Sequence, residues 1–378
     1  MQAKTITISR LTCEMQEGLV VVEGSPRLGW VMESPENGTR QSAYEIDIRE
    51  AFTGRSVWNS GKVYSTQSQL VSIEGADIRP DNQFNYSWRV RVWDETDAPS
   101  EWSREAKFRS ASSRLSEGKW IGAITRQNAH LPEGRKFHGG ELKKPEVKAA
   151  WEAVDTLAKK SICLRRTFQV GDRTEGNTNR QSGKKIVEAT AYVCGLGFYE
   201  FSLNGKKVGN SEFAPLWSDY DKTVYYNTYD VTEQLRHGEN AVGILLGNGF
   251  YNVQGGRYRK LQISFGPPTL LFELVINYED GTSTTLRSDN DWKYDFSPVT
   301  FNCIYGGEDY DARREQKGWN QVGFDDSHWR PVVIQEAPKG ILRPQMAPPV
   351  KIMELPSLSA KNVNPASNLL PVVAGNQT

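Results

Sequence analysis

Residues 199–209 read Tyr199-Glu-Phe-Ser-Leu-Asn-Gly-Lys-Lys-Val-Gly, and the pattern within them indicates the class of fold. Apolar and polar residues alternate from 199 to 203, which is the two-residue period of a half-buried strand. Asn204-Gly205 is a dipeptide that accepts positive φ at both central positions of a two-residue hairpin turn. The pattern therefore predicts an antiparallel β-hairpin with a return strand over 206–208.

The segments on either side predict further strands of the same sandwich. Ala-Thr-Ala-Tyr-Val-Cys (189–194) precedes the hairpin, and alternating or apolar runs at 224–229 and 241–246 follow it. A single helical pattern, at about 145–160, shows apolar residues at helical spacing after Pro145. We predict an all-β domain over 118–302, a jelly-roll-like sandwich with this one helical insertion.

Residues 1–112 predict a separate sandwich, close to a fibronectin type III pattern. Strand candidates recur at sandwich spacing without a helical pattern between them, at 10–14, 19–23, 42–48, 62–64, 69–73, 86–93 and 107–109. Its tryptophans are expected in the core, because aromatic residues dominate sandwich cores. The simplest role for this domain is that of a spacer between other parts of the protein.

Several motifs occur together in the order and approximate spacing of one enzyme family. They are Phe201-Ser-Leu-Asn-Gly-Lys-Lys-Val-Gly, Ala214-Pro-Leu-Trp-Ser-Asp-Tyr, Thr228-Tyr-Asp-Val-Thr, Gly249-Phe-Tyr-Asn, Tyr305-Gly-Gly-Glu-Asp-Tyr-Asp-Ala-Arg and Phe324-Asp-Asp-Ser-His-Trp. With them, residues 118–335 resemble the N-terminal β-sandwich region of bacterial α-L-rhamnosidases, glycoside hydrolase family 78. In that family the sandwich is inserted into another β domain. The resemblance thus implies that 303–356 begin a further, incomplete β domain, followed by a tail at 357–378.

The resemblance also implies what this region does. The family's catalytic acid and base lie on a large (α/α)6 barrel, which would show many amphipathic helices, whereas this sequence shows one. The chain is therefore interpreted as the accessory, non-catalytic portion of an enzyme that removes terminal α-L-rhamnosyl residues with inversion and requires no cofactor for that reaction. Its implied partners are a rhamnose-containing glycan or glycoside and the C-terminal catalytic domain of the same protein.

Composition narrows the remaining functions. Lys and Arg number 46 in total, as do Asp and Glu, so the net charge is zero and no basic surplus indicates nucleic acid or an anionic membrane. The first ten residues lack an apolar stretch of signal-peptide length. A cytoplasmic protein and a periplasmic or secreted one whose signal was removed are the alternatives. The four cysteines are too widely spaced to predict a metal or redox site.

Carboxylate groups are the first candidates for glycosidase chemistry, which needs two of them across one pocket. The candidates are Glu308-Asp309 with Asp311, Asp325-Asp326, and Asp289 with Asp291. Each group lies in a turn-like setting, where Asp commonly accepts hydrogen bonds from the backbone. We interpret them as turn residues and predict no catalytic residue in this chain.

The resemblance implies two polar binding residues. In some rhamnosidases the equivalent sandwich holds L-rhamnose with the help of Ca²⁺, and the matching positions here are Asn204 and Asn252. Calcium takes six to eight oxygen ligands, usually including a carboxylate, but Leu203 stands where an acidic neighbour would strengthen the site. Asn204 has an alternative role as a plain turn residue. The glycine-rich loop of Asn252 is expected to be exposed.

Trp217 and Tyr226 are the candidate sugar-stacking residues, with Tyr220 and Tyr225 as alternatives. Tyr225 and Tyr226 are neighbours on one strand, so they face opposite ways and at most one can share the site. Two functions stay open: an accessory domain that binds rhamnose or another glycan, and a purely structural or protein-binding sandwich array without a sugar site. An exposed aromatic beside a polar loop within 204–258 favours the first.

Overall fold

The structure is a computed structural model that describes residues 6–51, 53–78, 85–111, 115, 117–132, 136–171, 184–255 and 261–354. Over these residues it consists mainly of β-strands, with one α-helix and short 3-10 turns. The predicted all-β class with tandem sandwiches is confirmed. The predicted tail at 357–378 lies outside the described residues.

The described part of the first domain contains nine strands. They are β1 (Thr7–Cys13), β2 (Val20–Val22), β3 (Arg27–Glu33), β4 (Ala43–Glu50), β5 (Ser56–Asn59), β6 (Val63–Tyr64), β7 (Val71–Ser72), β8 (Asn85–Trp93) and β9 (Ala106–Ser110). One sheet has the order β1-β3-β7, and the other has the order β2-β9-β8-β4-β5, with β6 also paired to β4. The pairs are antiparallel, except that β2 runs parallel to β9.

Alternation along the strands buries the large apolar side chains between these two sheets. Trp30 on β3 and Trp88 on β8 are among the largest fully buried side chains. The sequence predicted seven of the nine strands and missed β3 and β5. Gly29 interrupts the apolar pattern of β3, and this glycine is required because a Cβ there would lie 2.7 Å from Thr12 Oγ1 on the paired strand.

The second domain contains helix α1 (Pro145–Glu152) and the remaining described strands. They are β10 (Ile121–Gly122), β11 (Lys136–His138), β12 (Ile162–Val170), β13 (Ile186–Leu196), β14 (Tyr199–Leu203), β15 (Lys206–Lys207), β16 (Ser211–Glu212), β17 (Thr223–Asp230), β18 (Gly238–Leu246), β19 (Asn252–Val253), β20 (Leu261–Ser264), β21 (Thr269–Tyr278), β22 (Ser283–Arg287), β23 (Lys293–Phe296), β24 (Val299–Cys303), β25 (Gly307–Tyr310), β26 (Arg330–Pro331), β27 (Val333–Ile334), β28 (Ile341–Pro344) and β29 (Val350–Lys351).

Two large sheets form this sandwich. The first has the order β27-β10-β21-β13-β17-β28, with β22 beside β21, and the second has the order β15-β14-β18-β12-β23-β26. Phe201 on β14 meets Phe272 on β21 edge to face, with ring centroids 5.7 Å apart, and Trp292 packs on Phe272 at 5.3 Å. All three rings are buried in one apolar core, so the core lies between the two sheets.

The hairpin predicted at Asn204-Gly205 is confirmed. Leu203 pairs with Lys206, and the two turn residues have φ of 53° and 81°. The turn also packs against the chain far beyond it, since a Cβ on Gly205 would lie 2.6 Å from Gln321 Cγ.

The predicted further domain at 303–356 is corrected by the strand pairing of its described part. Arg330 on β26 pairs with Tyr294, and Ile334 on β27 pairs with Ile121. Strand β28 adds to β17 in parallel. These strands extend the two sheets of the second sandwich, so they complete that domain and do not begin another.

The predicted helix at 145–160 is shorter in the structure. Helix α1 ends at Glu152, and a separate 3-10 turn spans Thr156–Lys159. The Asp155 carboxylate accepts a hydrogen bond from the Leu157 backbone N–H at 2.7 Å and so caps the start of this turn. The helical spacing of apolar residues continues through this point, but the helix does not. Val147 and Trp151 of α1 pack in a small apolar cluster with Ala158.

A buried ionic contact joins the two sandwiches. Arg109 on β9 has a side chain only 2% exposed, and its Nη2 lies 2.5 Å from Glu188 Oε2 on β13. The same guanidinium donates to Asn85 Oδ1 at 2.6 Å, to Thr190 Oγ1 at 3.0 Å and to the Tyr192 hydroxyl at 2.7 Å. We call these five residues the interdomain junction.

Candidate functional site

Asn204 occupies a closed position at the hairpin. Its side-chain oxygen accepts a hydrogen bond from the Ala241 backbone N–H at 3.0 Å. Its amide group donates to Gln234 O at 3.1 Å and to Asn240 Oδ1 at 2.8 Å. The carboxamide is therefore used in holding the turn against the start of β18.

Asn252 is the first residue of β19, directly after the loop that follows β18, and the expectation that it is exposed is wrong. The residue is 1% exposed, and its amide donates to Ala158 O and to Asn248 Oδ1, both at 2.8 Å. Asn248 in turn donates to Lys159 O at 3.0 Å. The two asparagines fasten this loop to the 3-10 turn after α1.

The positions of Asn204 and Asn252 do not fit a shared calcium site. Asn204 contacts the first residues of β18, whereas Asn252 comes after the last residue of that strand. The rise of a strand puts about 17 Å between Ala241 and Leu246 alone. No group of three or more His, Cys, Asp or Glu side chains suited to a metal ion occurs among the described residues.

The two predicted stacking residues differ sharply in exposure. Tyr226 is 2% exposed and packs edge to face on Tyr192, so its ring has no free face for a sugar. Trp217 is 63% exposed and stacks on Phe250, with ring centroids 5.2 Å apart at 27°. Phe250 belongs to the loop after β18, so an exposed aromatic ring does stand beside that loop.

An open cavity lies next to this stacked pair, and its volume is about 500 Å³. We call it the aromatic groove; the lining residues that matter for its chemistry are Phe198, Glu212, Phe213, Asn302, Glu308 and Tyr310. Phe198 connects the groove to the stacked pair, because its ring lies 5.5 Å from that of Phe213 and 6.0 Å from that of Phe250. The groove and Trp217 thus share one aromatic cluster.

The hairpin of β24 and β25 forms one wall of the aromatic groove. Tyr310, at the end of this hairpin, is 54% exposed. Phe213, which follows β16, also lines the groove and is 59% exposed. The Tyr310 hydroxyl donates a hydrogen bond to the Glu315 carboxylate, which raises the pKa of Tyr310 to about 12. The phenol therefore stays neutral at ordinary pH.

Carboxylates stand around the same groove. Lys207 Nζ lies 2.7 Å from Glu212 Oε1 and 3.5 Å from Glu200 Oε1, so one cation serves two acids. Glu308 adds a third carboxylate on the hairpin wall. The lining consequently carries more negative than positive charge.

The floor of the groove is polar and tightly held. Asn302 Oδ1 accepts a hydrogen bond from the Asn248 backbone N–H at 2.8 Å, and its amide donates to Ser161 Oγ at 2.5 Å. A Cβ on Gly247 would lie 3.2 Å from Asn302 Oδ1, so a glycine there lets the loop approach this side chain. The loop after β18 and the hairpin wall are thus coupled through Asn302.

The other predicted acidic groups behave as turn residues. Asp311 and Asp325 accept hydrogen bonds from the backbone N–H groups of Arg313 and Ser327, two residues further on. Asp289 does the same for Asp291. Asp326 forms ion pairs with Arg165 and, at 2.7 Å, with Lys293.

Sequence reasoning found Trp217 but missed the aromatic groove. Phe198, Phe213 and Tyr310 come from three distant segments, and no local pattern links them. The available signal was that residues typical of exposed turns precede two of these aromatics. Glycines precede Phe198, and Glu308-Asp309 precede Tyr310. Among the described residues no helix is long and apolar enough to cross a membrane.

Two family models match the chain. Residues 8–113 match the Rha78A-like, N-terminal immunoglobulin domain, and residues 184–354 match the α-L-rhamnosidase N-terminal domain. The second match reaches past 303, in agreement with the strand pairing of β26 to β29. The chain belongs to the family of α-L-rhamnosidase N-terminal domains.

Individual relatives agree. An α-L-rhamnosidase of Formosa agariphila is 36% identical over 323 residues, which cover 82% of this chain and 32% of the relative. An α-L-rhamnosidase of Streptomyces avermitilis is 28% identical, and the match covers 93% of this chain and 47% of the relative. The solved structure of the Streptomyces avermitilis α-L-rhamnosidase complexed with L-rhamnose superposes with a TM-score of 0.71 at 25% identity, covering 93% of this chain and 47% of that one.

The α-L-rhamnosidase from Dictyoglumus thermophilum gives a TM-score of 0.68 at 30% identity, with 93% of this chain and 37% of that chain covered. The chain spans about a third to a half of the length of the curated relatives it matches.

Proposed function

We propose that this chain is the accessory N-terminal portion of an enzyme that hydrolyses terminal α-L-rhamnosyl residues with inversion, and that the chain itself is not catalytic. It supports and positions the C-terminal catalytic domain of the same protein. The support for this proposal is the pair of family matches together with acidic residues that are engaged in turns and ion pairs.

The chain also contacts the rhamnose-containing substrate. The observation that supports this contact is the exposed ring of Trp217. One face of its indole is covered by Phe250, and the residue is nevertheless 63% exposed. A flat ring held by a second aromatic is a suitable surface for the apolar face of a sugar. This arrangement favours sugar binding over a purely structural array.

The calcium ion that the family resemblance implies has no place in this proposal. Both candidate ligands use their side chains in internal hydrogen bonds, and they lie at opposite ends of β18. Binding of L-rhamnose is therefore expected to be the same in calcium and in a chelator.

The test is a calorimetric titration of L-rhamnose into this chain, run with calcium and with a chelator. We expect binding in both buffers and a loss of about tenfold in affinity for Trp217→Ala, since an anchoring aromatic commonly contributes more than 1 kcal/mol. Its free energy of unfolding should stay within about 0.5 kcal/mol of the unmodified chain.

Tyr64→Ala is the matched control, because Tyr64 is also a mostly exposed aromatic (76%) and lies on the first domain. Unchanged affinity in Trp217→Ala would contradict the proposed sugar contact. Binding that disappears in the chelator would contradict the calcium-independent site.

A further inference from the structure

We propose that the aromatic groove binds a neutral oligosaccharide and discriminates against one that carries a uronic acid. This inference extends the proposed function, on which it rests, from a single sugar ring at Trp217 to a longer glycan. The groove is a second surface, because Trp217 does not line it. It adjoins Trp217 through Phe250 and Phe198.

The shape of the aromatic groove suits a chain of sugar rings. Its volume of about 500 Å³ lies within the range of small-molecule sites, which is about 300–1,000 Å³. Phe213 and Tyr310 both line the groove and are more than half exposed, so each offers a ring to the apolar face of a pyranose. The two rings come from different segments that border one cavity: Phe213 directly follows β16, and Tyr310 ends β25.

Tyr310 is fixed in place without being buried. Its hydroxyl donates to Glu315, and this hydrogen bond restricts rotation of the ring. A ring that is already oriented loses less conformational entropy when a ligand stacks on it. Tyr310 is therefore an exposed ring that is already oriented for contact with a ligand.

Polar groups in the groove match sugar hydroxyls. Glu212 and Glu308 present carboxylate oxygens that accept hydrogen bonds from hydroxyl groups, and hydrogen bonds to ionised acceptors are about twice as strong as neutral ones. Asn302 has its carboxamide fixed by Asn248 and Ser161. Aromatic walls with acidic hydrogen-bond acceptors are the chemistry that recognises carbohydrates.

The charge of the lining selects among carbohydrates. Glu200, Glu212 and Glu308 surround the groove, and Lys207 is the cation that pairs with the first two. The excess of carboxylates repels a sugar acid, and this repulsion weakens as salt screens it. The same excess argues against a protein partner in the groove, because the centre of a protein interface is depleted in charged residues.

The experiment uses this chain and three ligands: L-rhamnose, a neutral tetrasaccharide of galactose residues that ends in L-rhamnose, and the same tetrasaccharide with one galactose replaced by galacturonic acid. Calorimetry should show that the neutral tetrasaccharide binds at least about tenfold more tightly than L-rhamnose. Tyr310→Ala should remove that gain, because one anchoring ring is worth about tenfold. Affinity for L-rhamnose should be unchanged in this variant.

The charge is tested with Glu308→Gln, which keeps the size of the side chain. The unmodified chain should bind the uronic acid ligand several-fold more weakly than the neutral one at low salt, and Glu308→Gln should reduce that difference. Tyr64→Ala again serves as the control for an exposed ring elsewhere. Equal affinity for the two tetrasaccharides would overturn the discrimination by charge.

Failure of the groove and failure of the Trp217 contact give different results. If L-rhamnose binds in a Trp217-dependent way while the tetrasaccharide gains nothing and Tyr310→Ala is silent, the groove inference is wrong and the proposed function stands. If the tetrasaccharide binds in a Tyr310-dependent way while Trp217→Ala is silent for every ligand, the groove stands and the contact at Trp217 is wrong.

Discussion

The interdomain junction and the aromatic groove contain the same types of side chain in opposite states. At the junction, the Arg109 guanidinium is buried and its hydrogen bonds end on side chains of both domains. In the groove, carboxylates and rings border an open cavity, and Phe213 and Tyr310 are more than half exposed. Saturated polar groups fix a structure, whereas polar and aromatic groups with free faces can bind a ligand.

The largest effect is expected where the buried charge is broken. Arg109→Met should lower the free energy of unfolding by about 3–5 kcal/mol, because Glu188 is left mostly buried without its cation. The measurement is the midpoint of urea unfolding. Sugar binding per folded molecule should be unchanged, since the groove lies on other strands.

The double variant Arg109→Met with Glu188→Gln is the control for this prediction. Removing both charges should recover a large part of the loss, because an uncompensated buried charge is the main cost. If the single variant is as stable as the unmodified chain, the junction does not hold the two sandwiches together.

A smaller loss is expected at the closed hairpin. Asn204→Ala removes the hydrogen bonds to Ala241, Gln234 and Asn240. It also places alanine, which tolerates the left-handed region less well than asparagine, at positive φ. We expect a loss of about 2 kcal/mol, of which about 1 comes from the hydrogen bonds and about 1 from the backbone conformation. Thermal unfolding measures the total.

Asn204→Gly separates the two contributions, because glycine adopts positive φ freely. It should cost about 1 kcal/mol less than Asn204→Ala, with the affinity for L-rhamnose unchanged in both. Weaker rhamnose binding in these variants would instead restore Asn204 as a sugar-binding residue.

Local patterns in the sequence predicted what local geometry decides. Asn204-Gly205 set the hairpin because the turn requires positive φ at two adjacent residues. Strand patterns located seven of the nine described strands of the first sandwich and the long strands of the second. Pairing between distant segments was not visible, so strands β26 to β28 were assigned to another domain. The early end of α1 depended on Asp155, whose side chain caps a new turn.

The site was predictable to a smaller extent for the same reason. Strand alternation showed that Tyr225 and Tyr226 face opposite ways but did not show which one is buried, because that depends on what covers each face of the sheet. The buried Asn252 side chain donates a hydrogen bond to the backbone oxygen of Ala158, which lies far away in the sequence. The aromatic groove needs three segments in their folded positions.

The smallest effect separates structural carboxylates from those of the groove by their response to pH. Burial acts to raise the pKa of Asp326, but Lys293 and Arg165 outweigh it and hold that pKa below its ordinary value. A carboxyl whose pKa is lower in the folded state stabilises the fold fully above its unfolded pKa of about 3.9, and this contribution is lost as the pH falls through the folded pKa.

The difference in melting temperature between the unmodified chain and Asp326→Asn should therefore be greatest near neutral pH and should shrink below about pH 4. Glu308→Gln is the matched groove variant, and its melting temperature should follow the unmodified chain throughout, because Glu308 is exposed and a surface charge contributes little to stability. A pH-dependent difference for Glu308→Gln as large as that for Asp326→Asn would mean that the groove carboxylate is structural after all, and the contrast between the two kinds of region would not hold.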